Sequence, residues 1–367
     1  MEKRSEKLIG KKISSRSITG KETTDELFDK AFGAFVGREL KTAYKIIRRM
    51  IIENHTIVLS ISGALTPADF AVSSIIPFME AGFADVLTTT GANIYHDLQR
   101  IKSDKWFEVD PNVNDIQLRK SGLTRIYDIA FHEDDLFSAD KLVQKIFLEG
   151  DFSRQMTTSE FHYNFGKYLS ANKKYFKKGE YEKSLVVSAY DLNIPIFCGA
   201  PQDGSIFLNL AFLKRKIGEK YKFGINLEDD IHEFAAYHYF AKKNFSKKLS
   251  IIILGGGVPK NYSLQGEPYL GQICNIDVGG YDSDVQICDA HVQNGGLSSC
   301  TASEAHTWGK TSEECLKSSQ YVFADVTVTF PFIVHALLQE GLKKKSRGLF
   351  NRREEAITLL DKTLNRK

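Results

Sequence analysis

Cysteine is scarce in this chain of 367 residues, and long apolar runs are missing. Five cysteines without a Cys-x-x-Cys pair argue against a disulfide framework and a structural zinc site, so we expect reduced thiols, no metal and a cytoplasmic protein. No run of about 18 apolar residues predicts a membrane span, and no apolar region follows the charged Met1–Arg4 to predict a secretory signal. With 49 Lys and Arg against 46 Asp and Glu, the net charge of +3 does not indicate nucleic acid or membrane as a partner.

Alternating apolar segments indicate the fold class. Patterns typical of buried strands occur at 56–61, 85–89, 194–198 and 249–254, and further strands are predicted at 275–278 and 324–328. Helices are predicted over 26–52, 68–82, 184–191 and from Ile94 onward. The alternation predicts an α/β protein with a mostly parallel sheet covered by helices on both faces, in which ligands bind at the carboxyl ends of the strands.

Composition also suggests how the chain is divided. Residues 1–25 are polar and predict an extended arm, whereas 101–178 are richer in charge and aromatic residues and predict an insertion. A single catalytic domain is expected over 26–340. The remaining segment, 341–367, is basic and is expected to be a solvated helix or tail, with a binding patch as the alternative.

Small and hydroxyl-bearing residues follow several predicted strands. Gly255–Gly257 would let backbone N–H groups approach a phosphate, or would simply form a tight turn. Ser62, Thr66, Thr89 and Thr90 could bind phosphate and ribose, or could cap the next helices.

Carboxylates also stand near strand ends, at Asp203, Asp289 and Asp325. Each could accept the hydroxyls of a ribose or cap a helix. The usual Gly-x-Gly-x-x-Gly fingerprint is absent after the first strand, which disfavours an ordinary dehydrogenase.

The segment from Glu304 to Lys310 combines a carboxylate, an indole and an amine. Lysine is a nucleophile when neutral, which requires a desolvated pocket that lowers its pKa. Trp308 could form the wall of such a pocket and contact a cationic polyamine, while Glu304 could hold an ammonium group. The alternative is a surface lysine that follows a half-buried tryptophan.

Four motifs in this order resemble the deoxyhypusine synthase family, and specifically its bacterial branch, to which plant homospermidine synthase is related. They are Thr88–Asp97, Ile194–Ser205, Ile252–Lys260 and Trp308–Lys310. The resemblance covers about 35–336. It implies a single Rossmann-like, doubly wound domain, a homotetramer with active sites at the dimer interface, and NAD as a participant that is regenerated.

The resemblance also implies a reaction and residue roles. An aminobutyl group passes from spermidine, through an imine on Lys310, to an acceptor amine, with Trp308 and Glu304 contacting spermidine. NAD contacts fall by motif on these positions: Ser62, Thr66, Thr89, Thr90, Asp203, Gly256, Gly257, Asp289, Asn294 and Asp325.

The chain departs from the eukaryotic pattern at several positions in the polyamine site. A histidine thought to help remove a proton from spermidine is replaced by Asn261, which cannot act as a base near pH 7. Asn294 stands for an NAD-side aspartate, and Leu297 for an aspartate that binds spermidine. His291 and His306 are candidate replacement bases.

Because bacteria generally lack the protein acceptor of the eukaryotic enzyme, we expect a small amine such as putrescine as acceptor, giving homospermidine. The alternatives are transfer to a protein lysine and a catalytically silent NAD-binding oligomer.

Overall fold

The centre of the fold is a parallel sheet, seen in a computed structural model that describes residues 12–103, 105–176 and 183–365. The strands in chain order are β1 (Thr56–Ile61), β2 (Val86–Thr88), β3 (Trp106–Glu108), β4 (Leu123–Ile126), β5 (Ile129–His132), β6 (Gln155–Met156), β7 (Ile196–Phe197), β8 (Gly224–Ile225), β9 (Leu249–Leu254), β10 (Ser283–Cys288) and β11 (Ser319–Phe323). Within the described residues, six of them form the central sheet in the order β11-β10-β9-β1-β2-β7, with all neighbours parallel.

Helices surround this sheet. In chain order they are α1 (Thr24–Ala31), α2 (Phe35–Ile52), α3 (Ile76–Glu80), α4 (Gly91–Lys102), α5 (Asp115–Lys120), α6 (Glu133–Glu149), α7 (Thr158–Ala171), α8 (Leu185–Leu192), α9 (Ser205–Ile217), α10 (Leu227–Lys243), α11 (Gly257–Pro268), α12 (Ala302–Thr307), α13 (Glu313–Lys317), α14 (Val326–Gln339) and α15 (Arg353–Leu364). Of the helices described, none is long and apolar enough to cross a membrane.

Side chains of one strand alternate between two apolar cores. Leu59 and Ile252 belong to the core on one face of the sheet, whereas Val58 and Ile251 belong to the core on the other. Both faces are therefore buried under helices, as expected for strands that carry apolar side chains on both faces. The predicted α/β class with a mostly parallel, doubly covered sheet is confirmed.

The direction of chain winding reverses between β1 and β9. From β1 the chain proceeds to β2 and β7 on one side, and from β9 to β10 and β11 on the other. Ile61 pairs with Leu254, so Ser62 and Gly255 emerge side by side at the carboxyl edge. This is the switch point at which ligands bind in open α/β sheets.

Two predicted strands were placed wrongly. Residues 275–278 form no strand, and the strand of that region is β10, whose buried Asp284 and Gln286 break the apolar pattern. The strand predicted over 324–328 is β11, which ends at Phe323. Val326 starts α14 because the Asp325 side chain accepts a hydrogen bond from the Thr327 backbone N–H at 2.7 Å and caps the helix.

Two predicted helices are interrupted. The helix expected over 26–52 is divided into α1 and α2, which are separated at 32–34. The helix expected over 68–82 consists of a 3₁₀ turn at Thr66–Ala68, a π-helical turn at Ala71–Ile75 and α3. The helices at α4 and α8 start within about three residues of their predicted positions.

The basic segment after α14 is not a solvated tail throughout. Lys344 and Arg347 are 4% exposed in their side chains and both contact the Asp85 carboxylate, with Lys344 Nζ at 2.6 Å. Further on, Arg353 at the start of α15 donates from Nε to Glu233 on α10 at 2.8 Å. The expectation of a solvated basic face is wrong for these three residues because each has a buried carboxylate as partner.

The predicted terminal arm and the predicted insertion differ in how much regular structure they contain. Among the described residues before α1, 12–23 contain neither helix nor strand. A three-stranded antiparallel sheet in the order β3-β5-β4 lies within 101–178, the predicted insertion. The domain boundaries themselves stay predictions.

Candidate active site

A cavity of about 500 Å³ opens at the switch point of the sheet. Small residues and hydroxyls at the ends of β1, β2, β7 and β9 form most of its wall. The lining residues are Ser62, Gly63, Ala64, Thr89, Thr90, Gly91, Ala92, Cys198, Ala200, Asp203, Gly257, Val258, Pro259 and Ser298. We call it the cofactor cavity, since the structure brings Ser62, Thr89, Thr90, Asp203 and Gly257, all predicted NAD contacts, into this one space.

Helices α4, α9 and α11 begin beside the cofactor cavity. The Thr90 side chain caps α4, accepting from the Asn93 N–H at 3.3 Å and donating to the Gly63 carbonyl at 2.7 Å. Gly91 and Gly204 approach so closely that a Cβ on Gly91 would lie 2.9 Å from the Gly204 Cα. Free N–H groups at helix starts attract anions, so this wall suits a phosphate-bearing ligand.

A second cavity, of about 420 Å³, lies on the other side of the start of α11. We call it the amine cavity. Its lining residues are Lys260, Asn261, Leu264, Gln265, Pro268, Gln272, Gly295, Gly296, Leu297, Cys300, Glu304, Trp308 and Lys310. Five predicted substrate-site residues, Asn261, Leu297, Glu304, Trp308 and Lys310, thus line one space.

Lys310 is held by its backbone next to α12. Its N–H donates to the Ala305 carbonyl at 3.1 Å, and its carbonyl accepts from the Tyr281 N–H at 3.0 Å. The preceding Gly309 has φ +69°, a left-handed conformation that glycine adopts without strain and that turns the chain after α12. The half-buried side chain therefore starts from a rigid anchor and reaches the amine cavity.

The surroundings of Lys310 make its amine easier to deprotonate than that of an ordinary lysine. Burial lowers the pKa of the Lys310 amine, against the opposing effects of Cys300 and Glu304. The Nζ lies 5.9 Å from the centroid of the Trp308 ring, which is itself 66% exposed. An amine that loses its proton more readily than an ordinary lysine can add to a carbon made electrophilic.

Other predicted residues lie outside both cavities, as far as the described chain shows. Thr66 is buried and donates to the Asn93 carbonyl at 2.9 Å, and Asp325 caps α14. Asn294 accepts from the Gly296 N–H at 2.9 Å. Asp289 is exposed, and the exposed His291 ring packs 4.6 Å from the Phe323 ring.

Two more predicted positions have structural roles. Gly256 supports the cofactor cavity from behind: its N–H donates to Ser62 Oγ at 2.8 Å. The candidate base His306 bonds through Nδ1 to the Thr311 carbonyl at 2.6 Å.

Sequence reasoning missed a buried polar group between the two cavities. Lys260 is 2% exposed, and its Nζ donates to Gln286 Oε1 at 2.7 Å, to the Ser298 carbonyl at 3.1 Å and to the Cys300 carbonyl. Its position three residues after Gly257 is the one signal of this role in the sequence. Because all three protons of the ammonium group are donated, Lys260 is not the free amine of this site.

The cofactor cavity fits a dinucleotide in its donor set. It combines the helix starts of α4 and α9 for phosphates, the hydroxyls of Ser62 and Thr89, and the exposed Asp203 carboxylate for a ribose. A Cβ on Gly256 would lie 2.5 Å from Ser298 Oγ, so glycine is needed there to leave the cavity wall in place. In the described part of the chain, no group of three or more His, Cys, Asp or Glu is arranged to hold a metal ion.

The fold and the two cavities define a class: an α/β protein with a nucleotide-type cavity at the switch point of a parallel sheet and an adjoining cavity that contains a lysine. Comparison with known proteins identifies the family. The family model of deoxyhypusine synthase matches residues 27–337, and the chain belongs to that family, which indicates a transferase.

Two relatives agree with this assignment, and one solved structure shares the fold. The chain is 34% identical over 357 residues to a deoxyhypusine synthase-like protein of Nostoc punctiforme, covering 97% of this chain and 90% of the relative. It is 34% identical over 311 residues to a probable deoxyhypusine synthase 2 of Methanosarcina acetivorans, covering 83% of each. A crystal structure from Entamoeba histolytica, provisionally named deoxyhypusine synthase, superposes with a TM-score of 0.56 at 16% identity, covering 91% of this chain and 99% of that one.

Proposed function

We propose that this protein transfers a 4-aminobutyl group from spermidine, through an imine on Lys310, to a small amine acceptor. Family membership supports aminobutyl transfer from spermidine in general. The observation that carries the assignment to this chain is Lys310, a half-buried amine with a lowered pKa beside Trp308, in a cavity that adjoins the dinucleotide-type cavity.

The cofactor that we propose is NAD. Bound NAD would supply the acceptor for a hydride from the donor carbon and the source of the hydride that reduces the product imine. Ser62, Thr89 and Thr90 would contact it through hydroxyls, the N–H groups at the start of α4 would face a phosphate, and Asp203 would accept from a ribose. In this proposal Gly256, Thr66, Asp289, Asn294 and Asp325 act indirectly, by shaping segments around the cavity.

Lys310 carries the transferred group. Its neutral Nζ adds to the C=N carbon of the oxidised donor, and the bond from that carbon to the nitrogen of 1,3-diaminopropane breaks. The diamine leaves with the two protons that Nζ gives up, so a neutral 4-aminobutylidene imine remains on Lys310. The acceptor's primary amine then displaces Nζ in the same way, which regenerates the lysine, and the new C=N bond is reduced.

The charges of the amine cavity support a small acceptor. Among the described residues that line it, Glu304 is the one carboxylate, beside the amides Asn261, Gln265 and Gln272. Putrescine carries two positive charges near pH 7, so Glu304 could pair with one ammonium end while the amide oxygens accept from the other. The apolar Leu297, 49% exposed at the cavity, adds no counter-charge.

We also propose that the chain forms a homotetramer in which a second copy covers the opening of the two cavities. Trp308, Leu297 and Val258 are large apolar residues at the two cavities with 66%, 49% and 42% of their surfaces exposed. Burying them against a second copy would shield the imine from water. Light scattering of the purified protein tests this, and a monomer at micromolar concentration would contradict it.

A product assay tests the proposed function. The protein is incubated with NAD and spermidine, with and without putrescine, and polyamines are separated by chromatography. We expect 1,3-diaminopropane and, with putrescine, homospermidine. Diaminopropane formed only when a protein acceptor is added would favour transfer to a protein lysine, and absence of turnover despite bound NAD would favour a silent NAD-binding oligomer.

A further inference from the structure

The segment 289–301 between β10 and α12 has neither helix nor strand, yet it separates the two cavities. Ser298 lines the cofactor cavity, while Leu297 and Cys300 line the amine cavity. The distance between the two ligands therefore depends on where this irregular segment is held. Such a segment keeps one position only if specific bonds fix it.

Those bonds converge on Ser298. Its carbonyl accepts from Lys260 Nζ at 3.1 Å and from Gln286 Nε2 at 2.7 Å, and its Oγ accepts from the Gly257 N–H at 3.0 Å. Gln286 Nε2 also donates to the Gly255 carbonyl at 2.9 Å. The segment is thus tied both to the glycine turn after β9 and to β10.

Lys260 is central to this arrangement. It donates to Gln286, Ser298 and Cys300, and so joins α11, β10 and two positions of the segment. Burial lowers the pKa of Lys260, and the buried Asp284 carboxylate opposes that shift and serves as its counter-charge. A buried ammonium with all of its protons donated is suited to holding structure rather than to reacting.

We propose that Lys260, with Gln286, is a positioning residue. It holds residues 294–300 of this segment in place and so sets the separation of the cofactor and amine cavities. The expected effect on the transfer rate rests on the proposed function, whereas the expected effect on the position of residues 294–300 does not. Removing the donors of Lys260 should free the segment without unfolding the sheet. Hydride transfer depends on placing two ligands within about 3–3.5 Å of each other, so it should slow more than the binding of either ligand weakens.

The test compares Lys260→Met and Lys260→Arg with wild type. Lys242→Met is the matched control, since Lys242 is also a poorly exposed lysine, paired with Asp282 at 2.8 Å in another part of the chain. Hydrogen exchange measured by mass spectrometry should be at least tenfold faster over 294–300 in Lys260→Met, and unchanged over β9. Lys260→Arg, which keeps charge and donors, should restore part of the protection, and Lys242→Met should leave the segment unchanged.

Transfer rates complete the test. For Lys260→Met we expect kcat to fall at least tenfold while KM for spermidine changes less than threefold. Hydrogen exchange over 294–300 in Lys260→Met within twofold of wild type would overturn the proposal that Lys260 holds this segment. Faster exchange with an unchanged kcat would overturn the proposal that Lys260 positions the ligands. If wild type transfers nothing, the proposed function fails while the exchange data still decide whether Lys260 holds this segment. If Lys260→Met does not fold, Gln286→Met, which removes the other donor to Ser298, takes its place.

Discussion

Asp85 lies at the amino-terminal edge of the sheet, remote from the cavities, and joins the C-terminal segment to it. One oxygen, Oδ2, accepts from Lys344 Nζ at 2.6 Å, from Arg347 Nη1 at 3.2 Å and from the Ile57 N–H at 2.8 Å. The carboxylate side chain is fully buried. Two cations would therefore be left in the interior if this carboxylate lost its charge.

We predict that Asp85→Asn destabilises the protein by about 3–5 kcal/mol, the usual cost of leaving a buried charge without its partner. That corresponds to roughly a 100-fold or larger loss in the folding equilibrium constant. Lys344→Met should cost less, about 1–3 kcal/mol, because Arg347 still pairs with the carboxylate.

The assay is urea unfolding followed by circular dichroism, at one protein concentration because assembly would add to stability. Asp29→Asn is the control: its partner Lys45 is 51% exposed, and an exposed pair contributes about 0–1 kcal/mol. A loss below 1 kcal/mol for Asp85→Asn, equal to that of the control, would refute the reasoning.

Three further predictions concern pH and packing. Burial lowers the pKa of His162 to about 4, below the value near 6.5 of an unfolded histidine. The unfolded chain therefore binds the proton first, and the free energy of unfolding falls by about 3 kcal/mol as pH drops from about 6.5 to 4. His162→Gln should lose this pH dependence in unfolding curves, and a difference from wild type that is constant with pH would contradict the prediction. Gly256→Ala should displace Ser298 and raise the Kd for NAD at least tenfold, measured by calorimetry. Gly271→Ala is the control: open space surrounds its Cβ, so the Kd should change less than twofold, and equal effects of the two substitutions would contradict the packing argument. Acetylation of Lys310 should approach its maximal rate at lower pH than that of exposed lysines, and a matching profile would contradict the lowered pKa.

Most of the fold follows from the sequence pattern because the central strands β1, β2, β7 and β9 carry mostly apolar side chains on both faces. β9 is an example, with Leu249 to Leu254 buried between two cores. β10 was missed because it carries Asp284 and Gln286 inward toward Lys260, a partner that no local pattern reveals. Val326–Val328 resemble a strand, yet they form the first turn of α14 because a single capping carboxylate outweighs local propensity.

The candidate site was predictable where residues follow strands or match a family motif. Ser62, Thr89 and Asp203 are brought together by parallel strands whose carboxyl ends share one edge. The joining of the two cavities was not predictable, since Ser298 and Lys260 are 38 residues apart and meet through side chain and backbone. The burial of Lys344 depends likewise on a distant partner, Asp85.

The most direct test of the account is to trap the imine on Lys310. The protein is incubated with NAD and spermidine, reduced with borohydride, digested and analysed by mass spectrometry. We expect a butylamine adduct on Lys310 that requires both ligands and is absent from Lys310→Ala. An adduct on Lys260, or transfer of the aminobutyl group by Lys310→Ala, would contradict it.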